Sequence, residues 1–207
     1  MFSDQDLAVM DSIIKRYPRS RSAIMPLLHY VQSKAGYVTN EGIELIAKLL
    51  TLETAEVSAV ATFYTQYKRK PVGEYHVGVC TNTLCAVMGG DAIFAGLKSH
   101  LGIENDDVTA DGKVSLEHIE CNAACDYAPV VMANWEFYDN QSVESAKDLV
   151  DSMRQGNPIP PTRGPKSLPT WKENSAVLAG INDGRANEGV QAGEPTLLGL
   201  KLAKEGK

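Results

Sequence analysis

The 207-residue sequence is poor in the signatures that usually announce an activity. It has no C-x-x-C pair, which excludes a thioredoxin-type dithiol. It has no C-x-H pair, which argues against a Rieske centre with histidine ligands. Neither G-x-G-x-x-G after a strand nor G-x-x-x-x-G-K-[ST] occurs, so no phosphate-cradling loop is present. No Ser/His/Asp or Cys/His arrangement stands out, and no catalytic residue is assigned. No apolar run approaches bilayer length, so no direct membrane insertion is expected. The start, Met1-Phe-Ser-Asp-Gln-Asp-Leu7, carries early acids, no basic n-region and no Arg- and Ser-rich leader. That predicts neither a secretory signal nor a transit peptide, hence a reducing intracellular compartment. Structural disulfides are not expected there, and clustered cysteines point instead to metal or redox chemistry.

Positive charge is scarce where it would matter for nucleic acid. Residues 74–156 hold 4 Lys/Arg against 14 Asp/Glu, a balance of −10. Residues 1–73 hold 9 against 7 and residues 157–207 hold 7 against 5. A nucleic-acid partner needs a basic footprint, so none is expected. The acidic block suits either docking to a cationic protein surface or solubility alone. The hydrophobic fraction of 43% allows an ordinary core.

What is present is a change of period along the chain. Residues 1–70 read as four short amphipathic helices forming a small bundle. Ser3 with Asp6 starts the first, which carries Leu7, Met10, Ile13 and Ile14 and ends at Pro18. The second begins near Ser20 or Ser22, carries Ile24, Leu27, Leu28 and Val31, and stops at Gly36, with Pro26 near its first turn. Thr39 caps the third, bearing Ile43, Ile46, Ala47 and Leu50. Thr51 caps the fourth, bearing Val57, Val60, Ala61 and Tyr64. Lys68-Arg-Lys70 followed by Pro71 marks a boundary.

Residues 71–157 predict a second domain. Tyr75, Val77 and Val79 alternate in a strand ending at Cys80. A helix runs from about Asp91 to Gly102, and an Asp- and Gly-rich loop leads to a strand over Val114 to Glu120. Val130 to Ala133 and Glu136 to Tyr138 form a hairpin about Asn134. Ser142 caps a last helix ending at Gly156. The fold class is therefore α+β, with a thioredoxin-like topology the natural candidate. Residues 158–207 hold six of the ten prolines, and Trp171 is their sole aromatic residue. This stretch is expected to be an extended, partner-binding tail.

All four cysteines lie in the second domain, as Cys80-Thr-Asn-Thr-Leu-Cys85 and Cys121-Asn-Ala-Ala-Cys125. Cys80 and Cys121 fall at strand ends, and Cys85 and Cys125 follow in loops. If the two strands are neighbours, the loops face each other at one sheet edge and four thiolates close on one site. Four thiolates suit an iron–sulfur cluster or zinc, and spacing alone leaves both open. Gly89 and Gly90 allow a tight turn into the following helix. His76 and His118 read as strand residues and His29 and His100 as helix residues, all outside the ligand set.

On these residues the sequence resembles the small thioredoxin-like [2Fe–2S] subunit of respiratory NADH:quinone oxidoreductase (complex I). The resemblance covers about residues 1–157. It includes Tyr17-Pro18, Arg21-Ser22-Ala23, Gln32 to Gly36, Ala61-Thr-Phe-Tyr64, Pro71-Val-Gly73, both cysteine spacings with Glu120, and Ala128-Pro129. It implies that Cys80, Cys85, Cys121 and Cys125 ligate one [2Fe–2S] cluster. It implies a larger partner subunit that binds NADH, FMN and a [4Fe–4S] cluster, within the peripheral arm of the complex. The chain's own part is then accessory, exchanging single electrons with the partner's flavin, at the cytoplasmic face of the inner membrane. Related subunits serve NAD-linked hydrogenases and formate dehydrogenases. A zinc-stabilised structural adaptor and a free ferredoxin are readings from other classes. Many relatives have Leu-Gly where this chain has Asn122-Ala123. The fold resemblance also points to Pro129 as a cis proline.

Overall fold

A computed structural model describes residues 2–206, which divide into two compact units. The first unit comprises residues up to Val72 together with Pro169–Asp183. Its leading helices are α1 (Asp4–Ile14), α2 (Ile24–Ala35), α3 (Asn40–Leu50) and α4 (Thr54–Phe63), with a 3-10 turn over Ser20–Ala23. Local chemistry sets their ends. The Ser3 hydroxyl accepts from the Asp6 N–H, and the Asp6 carboxylate accepts from the Ser3 N–H at 2.9 Å. Gly36, at φ +86°, terminates α2 in the left-handed region. Thr39 caps α3 by accepting from the Gly42 N–H at 3.0 Å.

The predicted cap of the fourth helix is displaced. Thr51 instead closes α3 in the left-handed region at φ +55°, and Glu53 opens α4, with its N–H donating to the Glu56 carboxylate at 3.0 Å. The glutamate three residues into the helix thus accepts from the N-cap N–H, one half of a capping box. Met10, Ile13, Leu27, Leu28, Tyr30, Ile46 and Val57 form the core of this unit.

The second unit comprises Gly73–Leu168 and Gly184–Lys207. Its strands are β1 (Tyr75–Cys80), β2 (Asp107–Val108), β3 (Val114–Ile119), β4 (Val131–Ala133) and β5 (Glu136–Tyr138). The helices α5 (Thr83–Val87), α6 (Gly90–Leu101) and α7 (Val143–Arg154) complete it before the C-terminal segment. The sheet order is β2-β3-β1-β4-β5. β1 pairs parallel with β3 and antiparallel with β4, in register Cys80 to Ile119 and Val79 to Val131. The hairpin turns through Asn134 and Trp135, both at positive φ (47° and 67°), the geometry that matches strand twist.

Alternation along β1 divides the sheet's two faces. Tyr75, Val77 and Val79 share a core with Ile93 and Leu97 of α6 and with Leu149, Val150 and Met153 of α7. Cys80 falls on the other face, clustered with Cys85, Ile119, Val130 and Met132. β2 spans two residues of the stretch predicted as loop, where Asp107 and Val108 pair with Leu116 and Ser115.

The C-terminal segment holds more structure than an extended tail. Extended stretches are interrupted by α8 (Trp171–Leu178), in the first unit, and α9 (Glu194–Lys204), in the second. The Glu173 carboxylate accepts from the Thr170 N–H at 2.8 Å, which starts α8. Trp171 is 2% exposed, and its indole N–H donates to the Gly36 carbonyl at 2.7 Å. One buried indole with a satisfied N–H anchors a segment otherwise too polar to fold.

Candidate metal centre

The cysteine loops are built from the sheet outward. Because β1 and β3 are parallel neighbours, their C-terminal ends lie side by side, and the chains leaving them form one edge of the site. Asn82 ties the two departures together: its side-chain N–H₂ donates to the Ile119 carbonyl at 3.5 Å. Cys80 is the last residue of β1, and its N–H donates to the Val130 carbonyl at 3.1 Å. Cys85, which residue order places in a loop, lies within the short helix α5, where Asn82 precedes the first turn and its carbonyl accepts from the Ala86 N–H. Gly89, at φ +113°, turns the chain into α6. A Cβ on Gly90 would come within 2.4 Å of the Cys80 carbonyl oxygen and 2.9 Å of that of Cys85. Only glycine permits this approach of backbone to backbone.

Cys121 lies two residues beyond β3, and Cys125 opens a 3-10 turn over Cys125–Tyr127. Between them Ala123 is held at φ +54°. That conformation aims its N–H at the Cys121 sulfur, at 3.3 Å. Ala128–Pro129, immediately after, is a cis peptide, in line with the fold resemblance.

Cys85 and Cys125, one thiol from each loop, both sense neighbouring thiols. Burial pushes the Cys85 thiol up to about 11; the Val130 N–H bound to its sulfur pulls the other way, and Cys80 and Cys125 add to the rise. The Cys125 thiol is raised chiefly by the hydrogen bond it donates to Cys121 and by that neighbour's charge, and further by desolvation, by Cys80 and by Asp126. Cys80 is therefore felt by a thiol of each pair. Cysteine thiols gathered this closely are the donor set a cationic iron core would deprotonate and hold. The Ala123 and Val130 N–H groups already point at sulfur, as ligands of an iron–sulfur cluster require. The residues present therefore fit a [2Fe–2S] cluster.

Each predicted bystander histidine is engaged elsewhere. His76 Nε2 meets Glu117 at 2.9 Å and its Nδ1 meets Ser115 at 3.0 Å. His100 meets Asp151 at 2.8 Å, His118 sits edge-on to Phe94, and the His29 ring lies 4.7 Å from that of Tyr67. Among the described residues, no group of three or more His, Cys, Asp and Glu closes as the ligand set of a single ion. Nor is any helix there long and apolar enough to cross a membrane. Residue order does not reveal the sulfur-directed N–H groups of Ala123 and Val130. Its sole hint is Asn122-Ala123 in place of Leu-Gly.

Residues 10–154 match the family described as thioredoxin-like [2Fe-2S] ferredoxin. The chain belongs to this family. Its relatives include the E subunit of NADH-quinone oxidoreductase from Mycobacterium tuberculosis (strain H37Rv), 60% identical over 194 residues, which are 93% of this chain and 77% of that protein. The corresponding E subunit from Rickettsia bellii is 40% identical over 156 residues, 74% of this chain and 93% of that one. Among solved structures, an NAD+-reducing [NiFe]-hydrogenase in the H2-reduced state aligns with a TM-score of 0.57 at 18% identity. That alignment covers 65% of this chain and 23% of the hydrogenase chain, a likeness of fold.

Proposed function

We propose that this chain is the [2Fe–2S] electron-transfer subunit of the NADH-oxidising peripheral module of complex I. Its cluster is held by Cys80, Cys85, Cys121 and Cys125. The observation that carries the reading is the parallel pairing of β1 with β3, which delivers two cysteine loops to one sheet edge with their thiols close enough to sense one another. A two-iron cluster takes two thiolates on each iron, and the thiols here meet in two pairs. A mononuclear zinc adaptor would need all four on one point, and the match of residues 10–154 to thioredoxin-like [2Fe-2S] ferredoxins favours the cluster.

When bound, the cluster supplies reversible one-electron chemistry. This chain's own residues do the rest. The first loop keeps Cys80 and Cys85 away from water, and the Ala123 and Val130 N–H groups donate to sulfur. Such donors stabilise an anionic cluster and raise its affinity for an electron. The exposed second pair gives the site an open side toward a partner, since Cys121 and Cys125 both face solvent.

That partner is the larger subunit bearing NADH, FMN and a [4Fe–4S] cluster. The two meet at the cytoplasmic membrane face through the assembled complex, with residues 158–207 contributing to docking. This chain carries no complete active site and acts as an accessory. The high identity to a named E subunit across nearly the whole chain favours complex I over a hydrogenase or formate dehydrogenase host. The test is to purify the complex through a tag on this chain and add NADH anaerobically. Co-purified flavin, and a [2Fe–2S] paramagnetic signal that appears with NADH and is absent from a Cys125→Ser complex, support the reading. A tagged chain that carries no flavoprotein contradicts it.

A further inference from the structure

The second cysteine loop is not held by the sheet alone. Asp126 and Tyr127, directly after Cys125, are met by chain from the far C-terminus. The Thr196 hydroxyl donates to the Asp126 carboxylate. Gly193 lies against the Tyr127 hydroxyl, so close that a Cβ on it would come within 2.1 Å of that oxygen. The same segment is tied down on its other side. The Gly164 N–H donates to the Val190 carbonyl at 3.1 Å, and the Lys166 N–H donates to the Glu188 carboxylate at 3.0 Å. Gly189 presses onto the backbone there, where a Cβ would come within 2.1 Å of the Gly164 carbonyl oxygen.

Arg163 joins the three parts. Its guanidinium lies 3.9 Å from the Phe137 ring centroid and 5.0 Å from that of Tyr127. It pairs with the buried Asp139 at 3.1 Å and donates to the Gln191 carbonyl at 3.5 Å. One planar cation thus touches β5, the Cys125 turn and the C-terminal segment together.

We propose that residues 188–196 form a strap that holds the Cys121–Cys125 loop in its ligand-bearing conformation, with Arg163 as the positioning residue between strap, loop and sheet. The proposal rests on the ligand reading above only where it concerns the cluster. The holding of the loop stands on contacts of this chain alone. It assigns a task to a segment outside the span that matches the family, residues 10–154. The loop needs such a support because it is irregular, exposed and turned through a non-glycine residue at positive φ.

The test is amide hydrogen exchange on the full-length chain, metal-free and cluster-loaded, comparing wild type with Gly189→Ala and Arg163→Ala. Gly189→Ala touches neither the cysteines nor their loop and must push the strap off Gly164. Exchange over residues 122–128 is expected to rise about tenfold in both variants, the size of a lost hydrogen bond to a charged group expressed in a local opening equilibrium. Residues 76–80 and 115–119 are expected to keep their protection. The loaded variants should lose visible absorbance to a chelator faster by a similar factor. If Arg163→Ala loosens the sheet as well, Gly189→Ala decides. Unchanged exchange over 122–128 in the Gly189→Ala chain overturns the strap, whether or not a cluster assembles. Faster exchange there, in a chain that takes up no iron and sulfide, upholds the strap and rejects the ligand reading instead.

Discussion

Cys80 and Cys85 are each 3% exposed and belong to regular elements, the end of β1 and the helix α5, whereas Cys121 and Cys125 are exposed and lie on irregular chain. The first pair is fixed by ladder hydrogen bonds, by Gly90 against the backbone and by the core around Ile119 and Met132. The second depends on a strained Ala123, a 3-10 turn and contacts from distant chain. The same ligand chemistry is thus built twice, once preformed and once in need of support. Preformation makes binding free energy available for affinity; a loop ordered on binding spends part of it on conformational entropy.

The largest test of this difference is ligand replacement. Serine at any of the four cysteines should abolish or badly perturb the cluster, read as lost visible absorbance. The metal-free proteins should separate the pairs. Cys85→Ser places a hydroxyl in a buried site and should lower the melting temperature, while Cys121→Ser, exposed, should leave it nearly unchanged. Next comes cluster removal. Hydrogen exchange should accelerate strongly over residues 121–127 and little over 76–87, because folding energy supplied by the cluster is needed mainly where the chain lacks its own. Equal acceleration in both loops would erase the distinction.

Gly90→Ala attacks the preformed side. A methyl group there meets two carbonyl oxygens that belong to backbone and cannot swing away. A loss of about 1–3 kcal/mol is expected in denaturant unfolding of the metal-free chain, by analogy with overpacking. The smallest effect is expected from Ala123→Gly on the supported side. At φ +54° glycine removes a left-handed penalty of about 1 kcal/mol, partly offset by greater freedom in the unfolded chain. The Ala123 N–H that donates to Cys121 is retained. The reduced-state paramagnetic spectrum should therefore keep its shape while the cluster survives chelator longer.

Much of this arrangement is readable from residue order. The β1 alternation, the hairpin about Asn134 and the Ser3, Thr39 and Ser142 caps follow from local periodicity and side-chain chemistry. The two strand ends place Cys80 at the close of β1 and Cys121 just past β3. α5 escapes because five residues are too few to show a helical period, and β2 because two residues show none. Thr170-Trp-Lys-Glu173 is a capping signature in plain view, yet the proline-rich composition around it outweighs it. The strap is illegible for a different reason. Contacts such as Thr196 to Asp126 join residues far apart in the chain, and no local pattern encodes them.

The most direct measurement is metal and sulfide analysis of the anaerobically purified chain, followed by electron paramagnetic resonance after dithionite reduction. The account predicts a reddish-brown protein with iron and labile sulfide in equal amounts, two of each per chain, and a spin-half signal on reduction that vanishes in Cys125→Ser. A colourless protein holding one zinc, still so after anaerobic reconstitution with iron and sulfide, would contradict it. The four cysteines would then be structural ligands and not an electron relay.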